Sequence, residues 1–263
     1  MLDTNSPLIP IAINSLRPTS DILGGSTLFP KNVSWDNYVA VSQGTNYWLL
    51  FRNSIVIALI TTAVTLIAAG FSGYSLSRYK TAVNAGYSSA LMVFLLFPIV
   101  LRVIALFVTF RQLGVINAPA PAVTLDIVMS LPFCTWMFKG FFDSIPRELE
   151  EAARLDGASS LRAMVSVVLP LAGPGAAAVA IFAFLQAYNE FMVASAFLVN
   201  QDVQTIPIGL RNFISYDRTA WGQMLAASTM AALPPVVLFL MVQKWMIRGM
   251  AAGAEDMGWC RTE

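Results

Sequence analysis

The sequence predicts an all-α, polytopic membrane helical bundle, and three observations predict it. Hydrophobic residues make up 57% of the chain and charged residues only 12%, where a soluble domain carries about 25% charged. Long apolar runs recur, and all but one are closed by lysine or arginine. One dense cluster of charge, Ile145 to Ala158, lies between two such runs. A segment of that polarity does not sit in hydrocarbon, so it is a polar structure held between two spans.

Residues 1–15 hold one short apolar patch, Leu8 to Ile13, far below the roughly 20 residues a spanning helix needs. It reads as interfacial, or as the end of a truncated first span. Residues 16–53 are mixed and polar, with Pro18, Gly24, Gly25 and Pro30, and read as a loop outside the membrane. The first span runs from Ser54 to Ser77, stopped by Arg78 and Lys80; Ala58, Ala69, Gly70 and Gly73 suit close helix packing. A second span covers about Tyr87 to Phe110, with Pro98 and Arg102 inside it. A third, Ala122 to Phe138, contains Asp126 and Pro132. After the charged cluster comes an apolar run from Met164 to Val199, interrupted by Pro170, Pro174 and Glu190. Residues 200–222 form a second polar loop, and the last span covers about Met224 to Val242. The expected organisation is therefore 1–53, a truncated span and external loop; 54–248, the transmembrane domain, with a polar loop at 143–165; and 249–263, a tail.

The charged cluster has the signals of a short helix. Ser144 is placed to cap it, Pro146 sits where its missing N–H costs nothing, and Glu148, Glu150 and Glu151 face the positive end of the helix dipole. Gly157 is placed to end it, and Ser159 or Ser160 to begin a second short helix through Val165. Two readings fit: a solvated hairpin held by pairs such as Glu150–Arg154, or a docking element for a soluble partner.

Lysine and arginine placement orients the chain. Nine of the 16 fall beside 78–84, 139–162 and the tail from Lys244, in short loops at span ends; six fall on the other side, and Arg102 lies within a span. The charged helix is expected to be cytoplasmic and residues 16–53 external. A chain starting in the cytoplasm then needs one more span before Leu16.

Several functions are disfavoured. There is no histidine, the commonest acid–base catalyst and metal ligand. Cys134 and Cys260 are far apart and form neither a disulfide framework nor a metal motif. No secretory leader pattern opens the sequence. A net charge of +1 with scattered basic residues gives no nucleic-acid footprint. No G-x-x-x-x-G-K-[ST] phosphate loop occurs, so ATP chemistry would need another polypeptide.

Glu151-Ala152-Ala153, three residues, Gly157, then Leu169-Pro170 resembles the EAA signature of the permease subunits of binding-protein-dependent ABC importers. Further segments are similar to the carbohydrate-uptake branch, in particular to the second permease subunit of maltose-type transporters. They are Asn53-Ser54, Tyr74 to Arg78, Leu131-Pro132-Phe133, Gly140-Phe141-Phe142, Pro146 with Glu148-Leu149-Glu150, Asn189-Glu190-Phe191, Ile206-Pro207 with Gly209-Leu210, and Arg248-Gly249. The resemblance runs from about Pro18 to Ala254. It implies a type I ABC importer permease with about five full spans here, the first of the family's six being truncated, plus a cytoplasmic coupling helix. The tail from Glu255 to Cys260 departs from the family's short basic ending.

The resemblance implies that Glu151, Ala152, Ala153, Asp156, Gly157 and Ala158 dock on an ATPase. The alanines offer a smooth surface for close approach, the acids offer charge, and the glycine sets the turn. Implied partners are cytoplasmic ATPase subunits in two copies, which carry the ATP and magnesium, a second homologous permease, and an extracellular or periplasmic solute-binding protein. The location implied is a bacterial inner membrane; no cofactor, metal or catalytic residue is expected in this chain.

Tyr188, Asn189 and Glu190 are candidates to line the path, because hydroxyl-rich solutes need amide and carboxylate partners in a watered cavity; Glu190 is equally suited to a polar contact between helices. Arg102 either pairs with Asp126, snorkels, or meets an anionic solute in the path. The function expected is the membrane half of a sugar or oligosaccharide importer. Alternatives are a permease for a non-sugar or anionic solute, such as a phosphate-bearing one, and a secondary transporter, which would require internal repeats that the sequence does not display.

Overall fold

The structure, a computed structural model, describes residues 8–22, 33–214 and 220–255. Parts of the two expected outer loops (23–32 and 215–219) and the tail from 256 lie outside the described residues. Three short helices come first: α1 (Leu8–Ser15), α2 (Thr19–Ile22) and α3 (Asp36–Gly44). The apolar patch at the start thus becomes α1, which packs on the last helix of the chain. Asn37 ties its end down, donating to the carbonyls of Ser15 (3.0 Å) and Arg17 (2.7 Å).

Helix α4 (Tyr47–Arg78) is 32 residues long and starts seven residues before the uncharged run. The extra turns form because Tyr47 is buried there and donates its hydroxyl hydrogen to the Ala227 carbonyl at 3.1 Å. The second predicted span is broken into α5 (Ala82–Leu96) and α6 (Ile99–Gln112), bent by 99°. Pro98 is the cause. It pushes Phe97 into extended backbone (ψ 127°), as a residue before proline prefers. Helix α7 (Pro119–Asp143) instead runs through Pro132.

The charged cluster forms α8 (Arg147–Leu155), then α9 (Ser160–Ala163). A π turn at Met164–Val168 and the short α10 (Leu169–Leu171) lead into α11 (Gly173–Tyr188), bent by 80° from the preceding run. The long apolar run is therefore one bent unit followed by α12 (Met192–Phe197). A 3₁₀ turn at Gln201–Val203, α13 (Ile206–Arg211) and α14 (Trp221–Glu255) complete the chain; α14 continues through Pro234 and Pro235. Among the described residues three helices are long and apolar enough to cross a membrane, or five when each bent pair counts as one span. That agrees with the expected number.

Helix α4 packs along α7, and both hold α11. Small residues set the crossing: a Cβ on Gly73 would lie 2.7 Å from the Phe138 Cβ and 2.9 Å from the Lys139 nitrogen. Thr65 and Ser130 share a hydrogen bond at 3.1 Å lower in the same seam, the kind of polar link expected between helices in lipid. One core cluster, with Tyr74, Phe138, Phe142, Ile145, Met164 and Val168, lies beside α8. Another gathers Tyr47, Phe184, Tyr188 and Ile206.

Candidate functional site

Helix α8 is fixed from beneath and open above. The closing carboxylates and arginines of the loop turn back onto the end of α4. Glu150, 6% exposed, accepts from Arg78 Nε at 3.0 Å and from the Tyr74 hydroxyl. Arg78 also donates to the Ile145 carbonyl (3.2 Å), and Arg147 donates to the Ser77 carbonyl (2.8 Å). Ser77 donates to Asp143, which also meets Lys139 at 2.5 Å. The expected pair within α8, Glu150–Arg154, forms at 3.5 Å. The Tyr79 hydroxyl and the Glu150 carboxylate both favour the charged form of Arg154 and raise its pKa.

Two capping expectations separate here. Ser144 does not begin α8; it ends α7, donating its hydroxyl hydrogen to the Phe141 carbonyl at 2.7 Å. The core contact of Ile145 holds the chain in place, and Pro146 occupies the position before the first helical residue. Gly157 does terminate the helix. Its φ of +87° lets Gly157 N–H reach the Arg154 carbonyl and Ala158 N–H the Ala153 carbonyl, both at 3.0 Å. This pair of bonds is the Schellman arrangement, which satisfies the last carbonyls of a helix. Ser159 then caps α9.

Glu151, Ala152, Asp156 and Gly157 are exposed along this helix and turn, with Ala153 and Ala158 half-buried. The six residues are brought together. Leucines flank them on the open side: Leu155 is 89% exposed, Leu161 58% and Leu149 45%. These leucines give the charged helix an apolar component on its open side.

The four path candidates are not brought together. Tyr188 is buried against Phe184 and donates to the Ala231 carbonyl at 2.9 Å. With Asn189 it borders a cavity of about 400 Å³ shared with Ile206, Pro207, Ser228 and Pro235. Asn189 is exposed and donates to the Leu185 carbonyl. Glu190 turns away: its two oxygens accept the N–H groups of Val193 (2.8 Å) and Ala194 (2.9 Å), opening α12. Arg102 does not pair with Asp126. Its guanidinium lies over the Phe94 ring, 4.7 Å from the centroid, because α6 folds back toward α5 at Pro98. Arg102 Nε and Nη1 and Asp126 Oδ1 are buried and find no hydrogen-bond partner among the described residues.

Residues 66–252 match the family described as binding-protein-dependent transport system inner membrane component. The chain belongs to this family. It is 32% identical to the sulfoquinovosyl glycerol transport system permease protein of Agrobacterium fabrum, over 94% of this chain and 87% of that one. It is 34% identical to the galactooligosaccharides transport system permease protein of Bacillus subtilis, covering 94% and 88%. Its fold is that of a solved bacterial ABC transporter involved in import of the acidic polysaccharide alginate (TM-score 0.76, 20% identity, 91% and 89% covered).

In this permease the six residues singled out in the sequence lie together on one helix and its turn, and the contacts that hold them were not legible. Tyr74 and Arg78 carry the anchor, which their place in a family-like segment at the end of a span does not reveal. Leu155 was also missed; its isolation among charges was the available signal.

Proposed function

We propose that this chain is the membrane subunit of an ATP-driven sugar or oligosaccharide importer, forming half of the translocation pathway. In this reading α8 faces the cytoplasm and docks on a separate ATPase subunit, present in two copies. A second, homologous permease completes the pathway, and a solute-binding protein delivers substrate at the opposite end of the bundle. The location is the inner membrane of a bacterium. ATP and magnesium act on the partner, and this chain performs no hydrolysis.

The observation that carries the docking reading is the form of α8: a helix pinned to the bundle on one side by buried charge and presenting Glu151, Ala152, Asp156 and a nearly fully exposed Leu155 on the other. A solvated hairpin needs neither the buried anchor nor the exposed leucine. The carbohydrate reading draws on the relatives, whose names specify sulfoquinovosyl glycerol and galactooligosaccharides. The cavity beside Tyr188, Asn189 and Ser228 carries no charged side chain and is otherwise lined by aliphatic residues. Glu151, Ala152, Ala153, Asp156, Gly157 and Ala158 are assigned to docking, and Tyr188 and Asn189 to the path. Glu190 and Arg102 are assigned to shaping α12 and the α5–α6 bend.

The test is ATPase activity of the reconstituted complex across a panel of sugars supplied with the binding protein. Stimulation by one class of oligosaccharide is expected. Stimulation only by amino acids or inorganic anions would remove the carbohydrate assignment while leaving the importer reading in place.

A further inference from the structure

Helix α4 is gripped at both ends. At the α8 end, Tyr74, Ser77 and Arg78 make five hydrogen bonds with residues 143–150: Tyr74 with the buried Glu150, and four more at 2.7–3.2 Å. At the opposite end, Asn53 Nδ2 donates to the carbonyls of Asp202 (2.9 Å) and Gln204 (3.0 Å). The neighbouring Ser54 hydroxyl accepts the Ile206 N–H at 2.8 Å, opening α13. Gly209 of α13 lies so close to Leu50 that a Cβ there would sit 2.3 Å from Leu50 Cδ1. The segment 200–211 is thus held by α4 through side-chain hydrogen bonds to its backbone and a close approach.

Between the two grips the helix is continuous and contains no proline. Asn53 and Tyr74 are 21 positions apart, about 31 Å at 1.5 Å per residue. Helix α11 connects to α8 only through a π turn and an 80° bend, while α7, unbroken at Pro132, is itself packed along α4. A rigid element with fixed contacts at each end is the physical means by which two distant sites are coupled.

We propose that α4 is a two-ended strut: Tyr74 and Arg78 transmit displacement of the docking helix into α4, and Asn53 and Ser54 deliver it to residues 200–211 on the far side. Tyr74, Arg78, Asn53 and Ser54 are positioning residues; none touches solute in this account. The proposal rests on the reading of α8 as the ATPase-docking element. It adds that α4, which adjoins α8 in space but not in sequence, carries displacement of α8 across the bundle.

The test uses the full complex in proteoliposomes, with Asn53→Ala, Tyr74→Phe and the double variant, and Ser54→Ala as a second probe of the far end. Three quantities are read: ATPase co-purified, ATP hydrolysis stimulated by the loaded binding protein, and solute imported per ATP. Each single variant is expected to retain the ATPase at wild-type stoichiometry and to lose about tenfold in solute imported per ATP, within the range usual for coupling between distant sites. The double variant is expected to be no worse than the weaker single, because both interrupt one connection. Wild-type coupling in Tyr74→Phe, or in both Asn53→Ala and Ser54→Ala, overturns the strut, as do losses that multiply in the double. Absence of co-purified ATPase with the unmodified chain contradicts the docking reading instead.

Discussion

Glu150 on α8 and Arg78 at the end of α4 form a buried ion pair at 3.0 Å, their side chains only 7% and 6% exposed. The next residue, Glu151, points to solvent. Two adjacent glutamates therefore do opposite work. Glu150→Ala leaves the Arg78 charge buried without its carboxylate and is expected to destabilise the protein by about 3–5 kcal/mol. Glu151→Ala is expected to change stability by no more than about 0.5 kcal/mol while weakening ATPase binding. Thermal unfolding in detergent, followed with ATPase co-purification, separates the two.

The turn after α8 depends on backbone that only glycine adopts without strain. Gly157 has φ +87°, although no atom lies within 4 Å of where its Cβ would be. Gly157→Ala is therefore expected to cost roughly 1–2 kcal/mol through conformation rather than collision. Uptake in vesicles should fall further than this cost implies, since Ala158 and α9 change direction with the turn. Unchanged uptake together with unchanged melting would rule out this account of the turn.

Two glycines on α4 should respond in opposite ways. At Gly73 an added methyl meets Phe138 and the Lys139 backbone, whereas at Gly70 it meets nothing within 4 Å. Gly73→Ala is expected to destabilise by about 1–3 kcal/mol through overpacking of the α4–α7 crossing. Gly70→Ala should be neutral or slightly stabilising. Comparing melting temperatures of the two variants checks the helix register as well as the packing.

Glu190 is a cap in this structure, both oxygens engaged with α12 backbone. Glu190→Ala is expected to lower stability by about 1 kcal/mol and to leave the preference among sugars unchanged. Arg102→Gln should likewise leave the ratio of neutral to acidic sugar uptake unchanged, because its guanidinium sits over Phe94 and is not among the residues lining the cavity. A shift in either preference in transport assays would return that residue to the path.

Much of the fold was legible because lipid imposes simple rules: long apolar runs, basic ends, and one polar island that had to leave the membrane. Gly157 was legible for a similar reason, a glycine where a charged helix stops. The bends were less so. Pro98 and Pro132 look alike in sequence, yet one breaks a span by 99° and the other leaves its helix continuous. The difference lies in packing: Pro132 is buried in the α4–α7–α11 core, whereas Phe97 and Ile99 around Pro98 are exposed. The anchor of α8 was hidden because Tyr74 and Glu150 are 76 positions apart. Only the tertiary fold reveals which glutamate of the run faces inward.

The most direct test of the central claim is binding-protein-stimulated ATP hydrolysis by the reconstituted complex carrying Glu151→Lys. The reading of α8 as the coupling surface predicts a chain that inserts and melts like the unmodified protein, with stimulated hydrolysis and uptake abolished. Stimulated hydrolysis and uptake at the unmodified level would contradict it.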